Sequence, residues 1–260
     1  MGYQNITDVK LGDSVEQKMS VLFADIRNFT TILESMTPEE SFKFINGYLS
    51  IMEPAIIENQ GFIDKYIGDA IMALFPSKPD DAIHAAISML KRLDEYNKTR
   101  QRPERQPLKI GIGINTGDLI LGTVGGAQRI DGTVIGDTVN LASRLEELTK
   151  QYDVSLFISN STFISLENPG KYSIRLIDRV KVKGKADMVT VFEVFDADPP
   201  ECLEGKTMTK HIYEEAIILY YQRKFSQAAQ RFQDCLNKNP NDRVARIYLE
   251  RCQQNLEFRI

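Results

Sequence analysis

Two apolar runs of strand character, FIDKYI and AIMALF, flank the pair Gly68-Asp69. A tight turn with a glycine beside an acidic residue predicts a β-hairpin that holds the carboxylate of Asp69 at its tip. Such a carboxylate is usually only part of a solvated turn. Upstream, however, SVLFADIRNFT ends a buried-looking strand in Asp25 and then opens into a helix start. Two carboxylates at the ends of separate strands are what a pair of Mg²⁺ ions on a polyphosphate needs, so they indicate metal-assisted phosphate chemistry.

The bulk composition excludes several classes of protein. A chain of 260 residues with 42% hydrophobic content suits one domain of ordinary size plus a small appendage. A net charge of −4 argues against a dedicated nucleic-acid binder, whose surface would be basic, so we expect a small ligand. The cysteines Cys202, Cys235 and Cys252 lack metal-ligand spacing, which argues against a zinc site or a disulfide framework and fits a reducing cytosol.

Hydropathy predicts no membrane segment in this chain. No apolar run approaches the ~20 residues that cross a bilayer, and the start MGYQ lacks the basic residues and apolar centre of a signal peptide. We therefore expect a cytoplasmic location. Residues 1–18 are polar and are predicted to be a linker that enters the first strand.

Periodicity and turn residues predict the elements that follow the linker. Strands are predicted at 19–24, in the hairpin, and at 108–117, 118–124 (antiparallel to the strand before it), 155–158, 174–183 and 189–195, with a flexible connection at 125–132. Helices are predicted from the capping box TPEE to Gly61, over 79–99 and over 137–149, the first with Phe42, Ile45, Leu49, Met52 and Ile56 inward. Helices on one face of a mostly antiparallel sheet predict an α+β sandwich.

The motifs FADIRNFT, DKYIGDAIMALF, IGINTGDLILGTVG, TVIGDTVNLASRLE and VKGK follow one another in this order. As an ordered set they resemble the catalytic domain of the class III adenylyl and guanylyl cyclases, from about Ser20 to Phe195. The resemblance implies a ferredoxin-like core in a catalytic domain at 19–198. In relatives, a segment like 1–18 usually follows a sensory or membrane module, so we expect a part of a larger protein, with the cytosolic part of a membrane-attached protein as one alternative.

The resemblance also implies a set of phosphate and metal ligands. Asp25 and Asp69, together with Ile26, match the residues that hold two Mg²⁺ or Mn²⁺ ions in the family. The turn that follows Asp25 matches the segment whose backbone amides bind the triphosphate, namely Ile26, Asn28, Phe29 and Thr30. Lys183 matches a lysine that contacts the terminal phosphates, with Lys181 and Lys185 as neighbouring alternatives.

Four further residues match positions that recognise the nucleotide and stabilise the transition state. Lys65 and Thr133 match the pair that reads the purine, and a lysine there favours ATP because it donates to N1 of adenine. Asn140 and Arg144 lie four residues apart on the 137–149 helix, and they match the pair that positions the ribose and stabilises charge on the α-phosphate. Asp118 departs from the family, where some relatives carry a phosphate-binding arginine.

The resemblance therefore predicts an adenylate cyclase that converts ATP into 3′,5′-cyclic AMP and pyrophosphate in sites shared across a homodimer. Two alternatives stay open at this point: a guanylate cyclase, and a catalytically silent nucleotide-binding or dimerisation module.

The last part of the chain, residues 205–260, is predicted to be a helical hairpin. Residues from about 209 to 240 resemble one tetratricopeptide repeat through Ala216, Tyr220, Ala228, Phe232, Cys235 and Pro240. An ordinary pair of helices is an equal alternative. Because one hairpin cannot bury its own apolar face, it must pack on the catalytic domain, on a second copy or on further repeats, and it offers a surface for a protein partner.

Overall fold

The computed structural model of the chain describes residues 14–99, 107–126, 129–181 and 188–257. The strands in these ranges are β1 (Ser14–Ile26), β2 (Phe62–Ile67), β3 (Ala70–Phe75), β4 (Ile110–Gly126), β5 (Arg129–Ile135), β6 (Leu156–Ser159), β7 (Ile174–Lys181) and β8 (Met188–Val194). The helices are α1 (Phe29–Glu34), α2 (Pro38–Ile57), α3 (Pro79–Thr99), α4 (Asp137–Tyr152), α5 (Asn160–Ile164), α6 (Pro200–Tyr221), α7 (Phe225–Lys238) and α8 (Arg243–Glu257).

All described strands belong to one sheet. Its order is β2-β3-β1-β4-β6-β8-β7, and β5 pairs with β4 beside β6. The pairing of β4 with β6 is parallel, whereas the other strand pairs are antiparallel. Helices α2 and α3 cover one face of the sheet and share its main apolar core. The predicted α+β sandwich with a mostly antiparallel sheet is confirmed.

The alternation of side chains along β1 sends its residues to two different layers. Leu22, Ala24 and Ile26 face the core beneath α2 and α3. Met19 and Val21 belong to a smaller cluster on the opposite face, which includes Ala142 of α4. Asp25 has the same parity as Met19 and Val21, and successive side chains in a strand point to opposite faces. The end of β1 therefore carries its carboxylate on the α4 side of the sheet.

Two local predictions agree closely with the structure. The hairpin of β2 and β3 turns at Gly68, whose φ of 65° lies in the left-handed region that glycine adopts without strain. Helix α2 begins with the predicted capping box: the Thr37 side chain accepts from the Glu40 amide, and the Glu40 side chain accepts from the Thr37 amide. Both features depend on residues close together in the sequence.

The prediction of two strands over 108–124 is wrong. Residues 110–126 form the single strand β4, because the long strand β1 pairs with it continuously from Ser14 opposite Gly122 to Ile26 opposite Ile110. The predicted connection at 125–132 is also wrong, since β4 runs to Gly126 and β5 begins at Arg129. Strand β1 begins at Ser14, five residues before its predicted start at 19.

The inward face predicted for the first long helix needs one correction. Phe42 is 70% exposed, whereas Phe44, Tyr48, Met52 and Ile56 are buried. These four residues follow helical spacing, and Phe42 lies about 200° around the helix from Phe44, so it points to solvent.

The C-terminal segment contains the predicted helical hairpin, α6 and α7, and a third helix, α8. The three helices share one apolar core with β7, β8 and the end of α4. Of the three packing alternatives, the structure therefore shows packing on the catalytic sheet, while the tetratricopeptide resemblance stays a prediction. Among the helices in the described ranges, none combines the length and apolar character of a membrane-crossing segment.

Candidate active site

The end of β1 and the tip of the β2–β3 hairpin meet at one corner of the sheet. The backbone amide of Ile26 donates a hydrogen bond to Oδ2 of Asp69 at 3.1 Å, which brings Asp69 beside Asp25. Burial and the neighbouring carboxylate of Asp25 raise the pKa of Asp69 to about 7. Like charges held together in this way are stable only when a cation or a proton compensates them.

The donor set at this corner fits a divalent cation. Oδ1 of Asp25 is buried and has no hydrogen-bond partner in the described part of the chain. Its Oδ2 lies 3.4 Å from Nζ of Lys150, a half-exposed side chain on α4. Within the described ranges no group of three acidic, histidine or cysteine side chains forms a metal cluster. The remaining ligands would therefore be backbone oxygens, such as the carbonyl of the buried Ile26, and phosphate oxygens.

The predicted triphosphate residues lie in the turn between β1 and α1. Asn28 has a left-handed backbone with φ of 56° and stands immediately before the first residue of α1, Phe29. The ring of Phe29 stacks on Phe44 of α2 at 6.4 Å, which holds the start of α1 against the core. Asn28 and Thr30 are exposed, so the turn presents its polar groups to solvent beside Asp25.

The two residues predicted to read the purine are in direct contact. Nζ of Lys65, on β2, donates a hydrogen bond to Oγ1 of Thr133, on β5, at 2.8 Å. Asp64 also lies near this ammonium group, with Oδ2 at 3.2 Å. The fold therefore places an ammonium donor and a hydroxyl group side by side.

Asn140 and Arg144 lie on α4, but the side of α4 that faces Asp25 carries other residues. Glu146 and Lys150 of α4 contact Arg27 and Asp25 respectively. At about 100° per residue, Arg144 lies about 200° around the helix from Glu146, and Asn140 lies about 120° away from it. In the part of the chain that the structure describes, neither Asn140 nor Arg144 has a side-chain hydrogen bond. From Lys150, the α4 residue that contacts Asp25, Arg144 lies about 120° around the helix and Asn140 about 80°. Arg144 is therefore directed away from the carboxylate pair of its own chain, and Asn140 lies to one side of it.

Arg27 is a residue of this site that sequence reasoning missed. Its guanidinium ties the end of β1 to α4: it donates to Oε1 of Glu146 and to the carbonyl oxygen of Val154, both at 3.3 Å, and it also donates to Thr149. Burial raises the pKa of Glu146 to about 7 despite nearby Lys150 and Arg27. A glycine at position 111 makes room, since a Cβ there would lie 2.3 Å from the guanidinium.

Three other features complete the description. Lys183 and Lys185 lie outside the residues that the structure describes. Lys181 is the last residue of β7. Asp118 is exposed, and its carbonyl oxygen accepts from Thr138 at 2.7 Å. A cavity of about 1260 Å³ lies between the end of α3, the start of β4 and α6. Arg27 lines that cavity, whereas none of the site residues predicted from the sequence does.

The sequence and the fold are similar to those of known proteins. The profile of the adenylate and guanylate cyclase catalytic domain matches residues 13–193. An adenylate cyclase of Anabaena cylindrica is 48% identical over 197 residues, which are 74% of this chain and 39% of that protein. The terminal-differentiation-specific adenylate cyclase of Dictyostelium discoideum is 38% identical over 256 residues, which are 96% of this chain and 12% of that protein.

The second match extends into the C-terminal helices, because it covers nearly the whole chain. Among solved structures, that of the guanylyl cyclase Cya2 is 32% identical with a TM-score of 0.62, and the similarity covers 74% of this chain and 97% of that one. The chain spans well under half the length of either adenylate cyclase relative.

Proposed function

The chain belongs to the adenylate and guanylate cyclase catalytic domain family, and we propose that it converts ATP into 3′,5′-cyclic AMP and pyrophosphate. In this reaction the ribose 3′-oxygen forms a bond to the α-phosphorus, and the bond from that phosphorus to the bridging oxygen of pyrophosphate breaks. The proton of the 3′-hydroxyl leaves to solvent. Both named relatives described above are adenylate cyclases, which supports the choice of ATP.

The contact between Lys65 and Thr133 is the observation that carries this proposal. Adenine presents an acceptor at N1 and a donor at N6, and an ammonium donor beside a hydroxyl acceptor complements both. Guanine presents the reverse pattern, a donor at N1 and an acceptor at O6. A lysine at position 65 therefore favours adenine.

A guanylate cyclase is the second candidate, and the similarity to the guanylyl cyclase Cya2 favours it. The family's guanylyl members use an acidic residue at the position of Lys65, so this chain lacks the group that would accept from N1 of guanine. A catalytically silent module is the third candidate. The presence of Asp25, Asp69, Asn140 and Arg144 together argues against it, because a degenerate site is expected to have lost at least one of them.

The family is generally dependent on divalent metal ions, and we propose that Asp25, Asp69 and the carbonyl of Ile26 hold two Mg²⁺ or Mn²⁺ ions. When bound, such ions lower the pKa of the ribose 3′-hydroxyl and neutralise the phosphates. The carboxylates of this chain would hold the triphosphate end through these cations. With the pKa of the 3′-hydroxyl lowered by a bound cation, its deprotonation would need no dedicated side-chain base.

The remaining residues bind and orient the nucleotide. The turn amides at Ile26, Asn28, Phe29 and Thr30 suit the anionic triphosphate, and Lys183 would contact its terminal phosphates. Asn140 would fix the ribose. Arg144 would stabilise the charge that develops on the α-phosphate, because a guanidinium is permanently charged and donates two parallel hydrogen bonds.

We propose that a homodimer completes each site. Arg144 points away from Asp25 of its own chain, so a second copy must supply the partner half. Large apolar side chains around Lys65 and Thr133 are exposed in the single chain, as an interface requires: Phe62, Tyr66, Ile67, Ile120 and Ile135. A two-fold axis would bring the carboxylates of one chain to α4 of its partner in two equivalent sites.

Two further proposals concern the cellular location of the protein and a surface for a protein partner. The cysteines in the described part are free thiols, which fits a cytoplasmic location. The role of residues 205–260 as a surface for a protein partner stays a prediction.

An assay of the purified chain with ATP, with GTP, and with Mg²⁺ or Mn²⁺ tests the function. Cyclic nucleotide products are separated by chromatography. Cyclic AMP from ATP in clear excess over cyclic GMP from GTP is the expected result. Cyclic GMP as the main product favours the guanylate alternative, and no product with either nucleotide favours the silent module.

A further inference from the structure

The side chain of Asp178, on β7, joins the catalytic sheet, helix α4 and the C-terminal helices. Its Oδ2 accepts hydrogen bonds from the hydroxyl of Tyr152 at 2.5 Å and from Nη1 of Arg251 at 2.6 Å. Its Oδ1 accepts from the hydroxyl of Tyr221 at 2.8 Å. Arg251 also donates through Nη2 to the Tyr152 oxygen at 3.1 Å. These four residues, called the Asp178 cluster below, come from β7, α4, α6 and α8.

The charge at the centre of this cluster fixes its geometry. Asp178 is nearly buried, and burial alone would raise its pKa. Hydrogen bonds from Tyr152, Arg251 and Tyr221 nevertheless hold the pKa of Asp178 below its usual range. A buried carboxylate that stays charged depends on its donors, so each donor is held in one direction.

A second cluster of buried charged residues holds the C-terminal helices against strands β7 and β8. Arg175 of β7 is 1% exposed, and it donates through both Nη atoms to Asp242, which precedes α8, at 2.5 and 3.1 Å. Its Nε donates to Glu193 of β8 at 2.5 Å, and Lys206 of α6 also contacts Glu193. Detachment of the helices would leave a buried guanidinium without half of its acceptors, which is strongly unfavourable.

Tyr152, the residue of the Asp178 cluster that lies on α4, links the C-terminal helices to the candidate active site. Tyr152 is the last residue of α4, eight residues after Arg144, or about 12 Å along the helix. Helix α4 lies directly on β4 at Gly113, where a Cβ would come within 2.2 Å of the Glu146 amide. The glycine lets the helix and strand backbones approach closely, and the hydrogen bond from Tyr152 to Asp178 adds a fixed contact at the C-terminal end of α4. Contacts at the end of α4 therefore help to set its position along its axis.

We propose that Tyr152 and Arg251 are positioning residues for the cyclisation reaction. They hold the C-terminal end of α4, and through this rigid helix they fix the placement of Asn140 and Arg144 against the nucleotide bound by the other chain. The C-terminal helices are then a working part of the catalytic unit and not an independent appendage. This inference rests on the proposed function.

The test uses the full chain with the variants Arg251→Met and Tyr152→Phe. Arg251→Met removes two hydrogen bonds and keeps most of the side-chain length, while Tyr152→Phe removes only a hydroxyl. We expect kcat with saturating MgATP to fall on the order of 10-fold in Arg251→Met, since a small misplacement of a transition-state group lowers the rate steeply. KM for ATP should stay within about twofold, because the residues proposed to bind the triphosphate and the base, Asp25, Asp69, Lys65 and Thr133, do not lie on α4. Arg251→Lys should keep an intermediate kcat.

The control is Arg231→Met, which breaks an exposed ion pair between α7 and Glu215 of α6 in the same helical segment. It should leave kcat unchanged. Hydrogen exchange gives a readout independent of activity: the amides of the last two turns of α4 should exchange faster in Arg251→Met and Tyr152→Phe than in Arg231→Met.

Each outcome decides the inference. Wild-type kcat in both folded variants, with wild-type exchange in α4, overturns it. A fall in activity that matches the loss of folded protein in a melting curve also overturns it, because that is a purely structural effect. If Arg251→Met does not fold, Tyr152→Phe decides alone. If the wild-type chain makes no cyclic nucleotide, the proposed function fails, and the exchange measurement still decides whether these residues hold α4.

Discussion

The ammonium nitrogen of Lys65 lies 2.8 Å from the hydroxyl oxygen of Thr133, although 68 residues separate the two in the sequence. Their strands, β2 and β5, are not neighbours in the sheet: β3, β1 and β4 come between them. The contact therefore depends on the arrangement of the whole sheet, which brings a residue of β2 to a residue of β5. In the proposed function, these two polar groups bind the adenine base.

Substitution of Lys65 and Thr133 by other residues should change the preference of the enzyme for ATP over GTP. We expect the double variant Lys65→Glu with Thr133→Cys to lose kcat/KM for ATP by roughly 30-fold or more, because two hydrogen bonds are lost or opposed and each costs about 1–3 kcal/mol. Activity with ATP and GTP is compared by product chromatography. Lys43→Glu, which reverses an exposed charge on α2, is the control and should change neither. An unaltered ATP preference in the double variant removes Lys65 and Thr133 from the base pocket.

Local sequence signals predicted those parts of the fold whose causes are local. Gly68 and the capping box at Thr37 act within four residues, and both are in place. The break predicted between 117 and 118 failed because a glycine followed by an acidic residue indicates a turn only when no partner strand is present. Here Gly117 and Asp118 pair with Met19 and Lys18 of β1, and those hydrogen bonds keep the strand continuous.

The residues of the candidate site likewise differ in whether the sequence could predict them. Asp25, Asp69 and Lys65 stand in motifs that could be read along the chain. Arg27 could not be found in this way, because a charged residue after a strand usually reaches solvent. Its main partner, Glu146, is 119 residues away, and only the packing of α4 on β4 brings the two together.

Removal of either carboxylate should abolish metal binding and cyclisation. Asp25→Asn and Asp69→Asn are nearly isosteric, so the fold should persist, but each forfeits a charge that holds Mg²⁺ or Mn²⁺. Mn²⁺ binding is measured by electron paramagnetic resonance, and activity is measured at matched metal concentration. Asp94→Asn, at an exposed ion pair with Lys98, is the control. Cyclase activity near the wild-type value in either site variant would overturn the metal assignment.

The buried carboxyl of Glu146 should make stability depend on pH. Its pKa in the folded protein is raised to about 7, whereas an unfolded glutamate titrates near about 4.3. Between these values the folded state keeps a proton that the unfolded state has lost, so this group lowers stability as pH rises, and the effect is complete above about pH 7. In Glu146→Gln, which cannot ionise, the melting temperature relative to wild type should therefore increase from pH 5 to pH 8 in metal-free protein.

Differential scanning calorimetry at several pH values checks this expectation. Glu39→Gln is the control, because Glu39 is an exposed partner of Lys43 and the variant should follow the wild-type pH profile. A difference between Glu146→Gln and wild type that stays constant or shrinks as pH rises would contradict the raised pKa.

The orientation of α4 leads to the last prediction, which concerns the sharing of sites. Glu146 and Lys150 face Arg27 and Asp25 of their own chain, and Arg144 lies about 200° around the helix from Glu146. Each site should thus combine the carboxylates of one chain with Arg144 of the other. Asp25→Ala and Arg144→Ala should each be inactive alone, since every site in either homodimer carries a lesion.

When the two variants are mixed, heterodimers should restore activity, because both lesions fall in one site and the other site is intact. With random pairing about half of the dimers are heterodimers, each with one working site of two, so the mixture should reach about a quarter of wild-type activity. Activity should also rise with protein concentration as chains associate. A mixture of Asp25→Ala with Asp69→Ala is the matched control: both lesions lie in the carboxylate half, so each heterodimer site is damaged and no activity should return. If native mass spectrometry detects heterodimers of Asp25→Ala with Arg144→Ala and no cyclic AMP forms, the sites are not shared.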